Sequence, residues 1–105
     1  MKLDDFLGKD LFVASRELFK KGSWSLCFNS DVNECTYRIL ASYGSGKISV
    51  TVHDITWGTW GGPAADWGSY GEEFEDEYDI YYPFCYSIVN CFKHLMNIEF
   101  DVKEL

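Results

Sequence analysis

Residues 23–53, "SWSLCFNSDVNECTYRILASYGSGKISVTVH", decide the fold. Three runs within them alternate apolar and polar side chains with a period of two, the pattern of strands buried on one face. Trp24, Leu26 and Phe28 alternate in the first run; Cys35, Tyr37, Ile39, Ala41 and Tyr43 in the second; Ile48, Val50 and Val52 in the third. The joining stretches "SDVN" (30–33) and "GSGK" (44–47) are rich in turn formers. As four-residue hairpin loops they set Phe28 opposite Cys35 and Tyr43 opposite Ile48. All three apolar sets then share one side of a single antiparallel meander. The other side carries Ser23, Ser25, Cys27, Thr36, Arg38, Ser49, Thr51 and His53, and is expected to meet water or a partner.

Before the meander, residues 3–21 read as an amphipathic helix. Leu3, Leu7, Leu11, Ala14 and Leu18 form its stripe, with Phe12 and Phe19 beside it. Asp4 or Asp5 suits its start, and Lys20, Lys21 and Gly22 suit its end. Gly8 weakens the first turn, which places the regular part from Asp10 onward. After residue 80, Phe84, Ile88, Cys91, Phe92 and Leu95 mark a second helix, with Pro83 near its start and Asn97 at its end. "IEFDV" (98–102) reads as a last strand. The expectation is an α+β fold in one domain, residues 1–105. Three meander strands plus a C-terminal strand form the sheet, with the N- and C-terminal helices on one face.

The segment 57–79, "WGTWGGPAADWGSYGEEFEDEYD", has no clean period and is punctuated by glycine. It reads as a long loop, with Pro63 to Trp67 compatible with a short helix. A loop this long in a compact domain is either functional or poorly ordered.

Charge singles out the same segment. The formal net charge is −8, from 17 acids and nine Lys and Arg. Between Ile48 and Phe92 lie Asp54, Asp66, Glu72, Glu73, Glu75, Asp76, Glu77 and Asp79, and no Lys or Arg. The other nine acids offset the nine bases, so the whole net charge belongs to this window. Such a field repels nucleic acid and attracts basic proteins. Aromatic rings attract guanidinium and ammonium groups, and carboxylates accept bidentate hydrogen bonds from Arg. The candidate partner-binding residues are therefore Trp60, Asp66, Trp67, Tyr70, Glu72, Glu73, Phe74, Glu75, Asp76, Glu77 and Asp79. A basic protein, such as a nuclease or toxin, is the expected partner, and steric and electrostatic occlusion is the expected mechanism. The competing reading is a small-ligand or catalytic domain using Trp57, Trp60, the polar sheet face or His53.

Other chemistry is less well supported. Cys91 and His94 share a helix face at a spacing that suits zinc, but the second pair, Cys27 and Cys35, falls on opposite sides of the sheet by strand parity. Cys27 and His53 share the polar face, yet no nucleophile elbow, phosphate loop or metal spacing surrounds them. No catalytic residue, metal or cofactor is assigned. The α-β-β-β-α order resembles that of double-stranded-RNA-binding domains, but only Lys93 stands where the last helix would carry a basic cluster. The Trp57-Gly58, Trp60-Gly61 and Trp67-Gly68 pairs resemble the Trp-Gly hooks that engage Argonaute proteins. No apolar run approaches the ~18 residues of a membrane span. "MKLDDFLGKDLF" lacks the cationic start of an export signal, so a cytoplasmic protein with reduced thiols is expected.

Overall fold

The computed structural model describes residues 1–58, 63–70, 74 and 76–101, with the backbone alone at 64, 69 and 70. The fold is α+β. Two N-terminal helices, α1 (Leu3–Leu7) and α2 (Leu11–Lys21), precede β1 (Ser23–Asn29), β2 (Thr36–Gly44), β3 (Lys47–Asp54) and β4 (Pro63–Tyr70). The helix α3 (Tyr81–Met96) follows. The strands form one antiparallel sheet in the order β1-β2-β3-β4, and α2 and α3 pack on it. Among the described residues no helix is long and apolar enough to cross a membrane.

The expected single N-terminal helix is two. Gly8 adopts a left-handed conformation (φ 67°) that ends α1, and Asp10 restarts the chain as the cap of α2. The Asp10 carboxylate accepts from Phe12 N–H at 2.9 Å and Val13 N–H at 3.4 Å, as an N-cap should. Asp4 works across the joint, its Oδ2 accepting from Leu11 N–H at 3.2 Å. Gly22 ends α2 at φ 78° and donates to the Leu18 carbonyl at 2.8 Å.

The strand faces are as expected, although one turn lies elsewhere. Phe28 pairs with Tyr37 rather than Cys35. The first hairpin loop is still four residues, but it is 31–34: Ser30 N–H donates to the Cys35 carbonyl at 2.8 Å, and Glu34 takes the positive φ. Moving the loop by one residue shifts the register by two, so every side chain keeps its face. The second hairpin pairs Tyr43 with Ile48 as expected, through a tighter two-residue turn at Ser45–Gly46.

The fourth strand is not the C-terminal one. It comes from the Trp-Gly segment, so 57–79 is not a continuous loop and Pro63–Trp67 is not helical. Its ladder to β3 sets Val50 opposite Trp67 and Val52 opposite Ala65 before an irregularity at Val52/His53. Residues 97–101 make a single bridge, Asp101 to Lys2, and Asp101 N–H donates to the Met1 carbonyl at 2.8 Å. Phe100 packs on Phe6, with centroids 5.1 Å apart. With β4 occupying the edge of β3, the C-terminal segment packs against the N-terminus instead.

One apolar layer joins sheet and helices. Phe84 meets Trp24 edge-on at 5.3 Å, and Phe92 meets Phe6, Phe28 and Tyr37 at 5.3–5.7 Å. Tyr81 stacks on Phe12 at 4.1 Å, locking α3 to α2.

The two glycines that end α1 and α2 differ in surroundings. A Cβ at Gly8 would meet nothing within 4 Å, whereas one at Gly22 would stand 3.3 Å from the Tyr43 carbonyl. Gly8→Ala is expected to lower the unfolding free energy by about 1 kcal/mol and Gly22→Ala by about 2 kcal/mol. Urea denaturation would show that order; equal losses would contradict the close packing at Gly22.

Candidate functional site

The structure separates the expected partner-binding residues. Trp60, Glu72, Glu73 and Glu75 lie outside the described residues, and Tyr70 is described only by its backbone, paired with Lys47. Asp66 and Trp67 are neighbours on β4 and so point to opposite faces. Asp66 is on the outer sheet face beside Thr51, whose hydroxyl lies 3.4 Å from its carboxylate. Trp67 is on the helix side, 46% exposed. Trp57 is 99% exposed, within a turn pinned to β2 by the 2.8 Å bond from Ile55 N–H to the Thr36 carbonyl.

Phe74 and Glu77 are held by the fold. The Phe74 ring lies 5.7 Å from Tyr43, and its N–H donates to the Tyr43 hydroxyl at 3.2 Å. Glu77 is only 21% exposed and bridges to α2, 3.1 Å from Arg16 Nε and 4.0 Å from Lys20 Nζ. Asp76 turns the chain into α3, its carboxylate accepting from Tyr78 N–H at 2.9 Å and Asp79 N–H at 3.1 Å. Asp76 and Asp79 nevertheless remain exposed. Negative charge just ahead of α3 also suits the positive end of its dipole.

An exposed aromatic set accompanies these two acids and was missed in the sequence. Tyr78 and Tyr86 are exposed, and Tyr82 stacks on Tyr86 at 5.9 Å. Tyr82 and Tyr86 are four residues apart, the spacing of helix neighbours. They diverge from the Phe84–Ile88–Phe92 face, and that divergence is the signal that would have revealed them. Carboxylates at 76 and 79 and rings at 78, 82 and 86 thus follow one another along the start of α3.

A groove of about 350 Å³ lies between β4 and α3, lined by Pro63, Ala65, Asp66, Trp67, Asn90, Cys91 and His94. The Cys91 thiol is buried at this seam, 3.8 Å from the Val50 carbonyl it donates to. On the outer sheet face, Cys27 and His53 sit two strands apart with Arg38 between them. That spacing, roughly 10 Å, puts them beyond direct hydrogen-bond reach. Among the described residues no three His, Cys, Asp or Glu side chains gather where they would hold a metal ion. Thr56 donates to Asp54 from its hydroxyl and its N–H, holding that carboxyl below its ordinary range. No family model matches this chain, and no characterised sequence or solved structure does.

Burial pushes the Cys85 and Cys91 thiols up to about 12, from an ordinary value of 9.0. The fold keeps both neutral, whereas the unfolded chain ionises them from about pH 9. Their contribution is complete below pH 9 and is lost as pH climbs toward 12. Unfolding free energy measured in urea should therefore fall between about pH 9 and about pH 12, the ordinary and raised thiol values. Cys91→Ala should cost about 1 kcal/mol at neutral pH and make that fall shallower. An unchanged slope would contradict the assignment.

Proposed function

We propose that this chain acts by binding and occluding a basic partner protein, most simply a nuclease or toxin that it neutralises. It carries out no catalysis on this reading. The observation that carries it is charge segregation: the entire net charge of −8 belongs to residues 48–92, which hold eight acids and no Lys or Arg. The described part of the surface offers Asp76 and Asp79 with Tyr78, Tyr82 and Tyr86 along the start of α3. Glu77 pairs with Arg16 and Lys20 and so braces this surface against α2. Carboxylates of this density guide a cationic partner over several ångströms, and the rings supply short-range affinity once water is excluded.

A small-ligand site is the second reading, favoured by the groove between β4 and α3. Trp67, Asn90 and His94 line it, an aromatic ring with polar side chains beside it.

Capture from a lysate at low and high salt separates the two readings, using a variant in which Glu72, Glu73, Glu75, Asp76 and Asp79 become Gln or Asn. Glu77 stays, since its loss would loosen α2. The parent should retain a basic protein that salt releases, and the variant should bind it about tenfold more slowly at low salt. Equal binding by the variant would sink the electrostatic reading. A loss caused instead by Trp67→Ala or His94→Ala would favour the groove.

A further inference from the structure

We propose that β1 is the edge through which two copies of this chain join, antiparallel, into one continuous eight-stranded sheet. This inference stands apart from the reading of the acidic segment.

The two sheet edges are treated differently. An exposed edge is a template for further pairing, and proteins blunt it with proline, charge, bulges or a covering element. At the β4 edge, the strand begins at Pro63, carries Asp66 and Gly68, and breaks register at Val52/His53. β1, "SWSLCFN", has no charge, proline, glycine or register break over its seven residues.

Backbone geometry shows which of its groups face outward. Tyr43 N–H donates to the Gly22 carbonyl at 3.0 Å, and Ser30 N–H donates to the Cys35 carbonyl at 2.8 Å. These bonds fix the even-numbered residues as the ones bonded to β2. By the alternation of antiparallel ladders, Ser23, Ser25, Cys27 and Asn29 direct their N–H and C=O groups away from the sheet.

The strand is complementary to itself. A two-fold register centred on Leu26 sets Ser25 opposite Cys27 and Ser23 opposite Asn29, so each outward group meets one from the second copy. The outer face then matches small polar residues, and the helix side sets Trp24 against Phe28. A one-residue slip would turn Leu26 and Phe28 toward the neighbour's polar face.

The flanks favour the same occupant. A groove of about 470 Å³ lies between α2 and β1, lined by Val13, Ala14, Trp24 and Leu26 among others, with Val13 58% exposed. The second copy's strand would close it. Nearby charges balance, with Lys9 next to Asp10 and Lys21 3.5 Å from Glu17. In the joined sheet the two β4 strands lie seven spacings apart, roughly 34 Å, or several Debye lengths at physiological salt. The Asp66 carboxylates on those two strands therefore do not oppose the pairing.

Sedimentation of the full-length chain through the micromolar range tests this. The parent is expected at twice the chain mass. Ser25→Pro removes an outward N–H and spares the β1–β2 ladder, so it should fold and dissociate about tenfold or more readily. Ser25→Lys serves the same purpose if the proline variant fails to fold. Ser25→Cys places a thiol opposite Cys27 of the second copy at a Cα spacing near 5.5 Å, within disulfide range. Mild oxidation should then yield a covalent dimer cross-linked between positions 25 and 27. A parent that stays monomeric at high micromolar concentration, or a dimer indifferent to both Ser25→Pro and Ser25→Lys, would overturn the proposal. Failure of the oxidised Ser25→Cys chain to cross-link would overturn the register.

Discussion

The packing of one ridge on α3 across the sheet supports everything else in this fold. Phe84, Ile88 and Phe92 are fully buried, and the aromatic neighbours of Phe84 and Phe92 come from α1, β1 and β2. Phe84 meets Trp24 of β1, and Phe92 meets Phe28 and Tyr37 of β1 and β2 as well as Phe6 of α1. Tyr81, one turn earlier, is stacked on Phe12 of α2. A buried aromatic side chain of this kind is worth several kcal/mol, a large share of the stability of a chain this size. Sheet and helices are therefore stable only together.

That dependence gives the acidic segment its frame. It leaves β3 through a turn bound to β2, runs back along β3 as β4, touches Tyr43 through Phe74, and reaches α2 through Glu77. The fold thus holds fixed points at intervals along a stretch whose composition suggests an unconstrained loop. Some of its aromatic and acidic residues serve the fold, Phe74 and Glu77 above all. Others, such as Trp57, Tyr78, Asp76 and Asp79, remain at the surface.

Period-two alternation made β1, β2 and β3 and their faces legible, because one face of each is buried and the other wet. The helix ends were legible for a similarly local reason: Gly22 and Asn97 both adopt left-handed conformations. The missing information was tertiary. β4 has only Ala65 and Trp67 to show alternation, and the surrounding glycines obscure them. "IEFDV" has better strand chemistry, yet α3 ends where Phe100 reaches Phe6 rather than an open ladder. The candidate site was legible as a charged window but not as a surface. Sequence proximity could not reveal that Asp66 and Trp67 point to opposite faces, or that Glu77 is drawn to Arg16.

The described part of the segment carrying the net charge is pinned to the fold, through β4, Phe74 and Glu77. Native-state amide hydrogen exchange, resolved by residue, tests it most directly. The β4 amides that face β3 should exchange far more slowly than an unstructured chain and slow further as the whole molecule is stabilised. Exchange at loop rates throughout 63–70, with β1, β2 and β3 protected, would show that β4 is not held on the sheet.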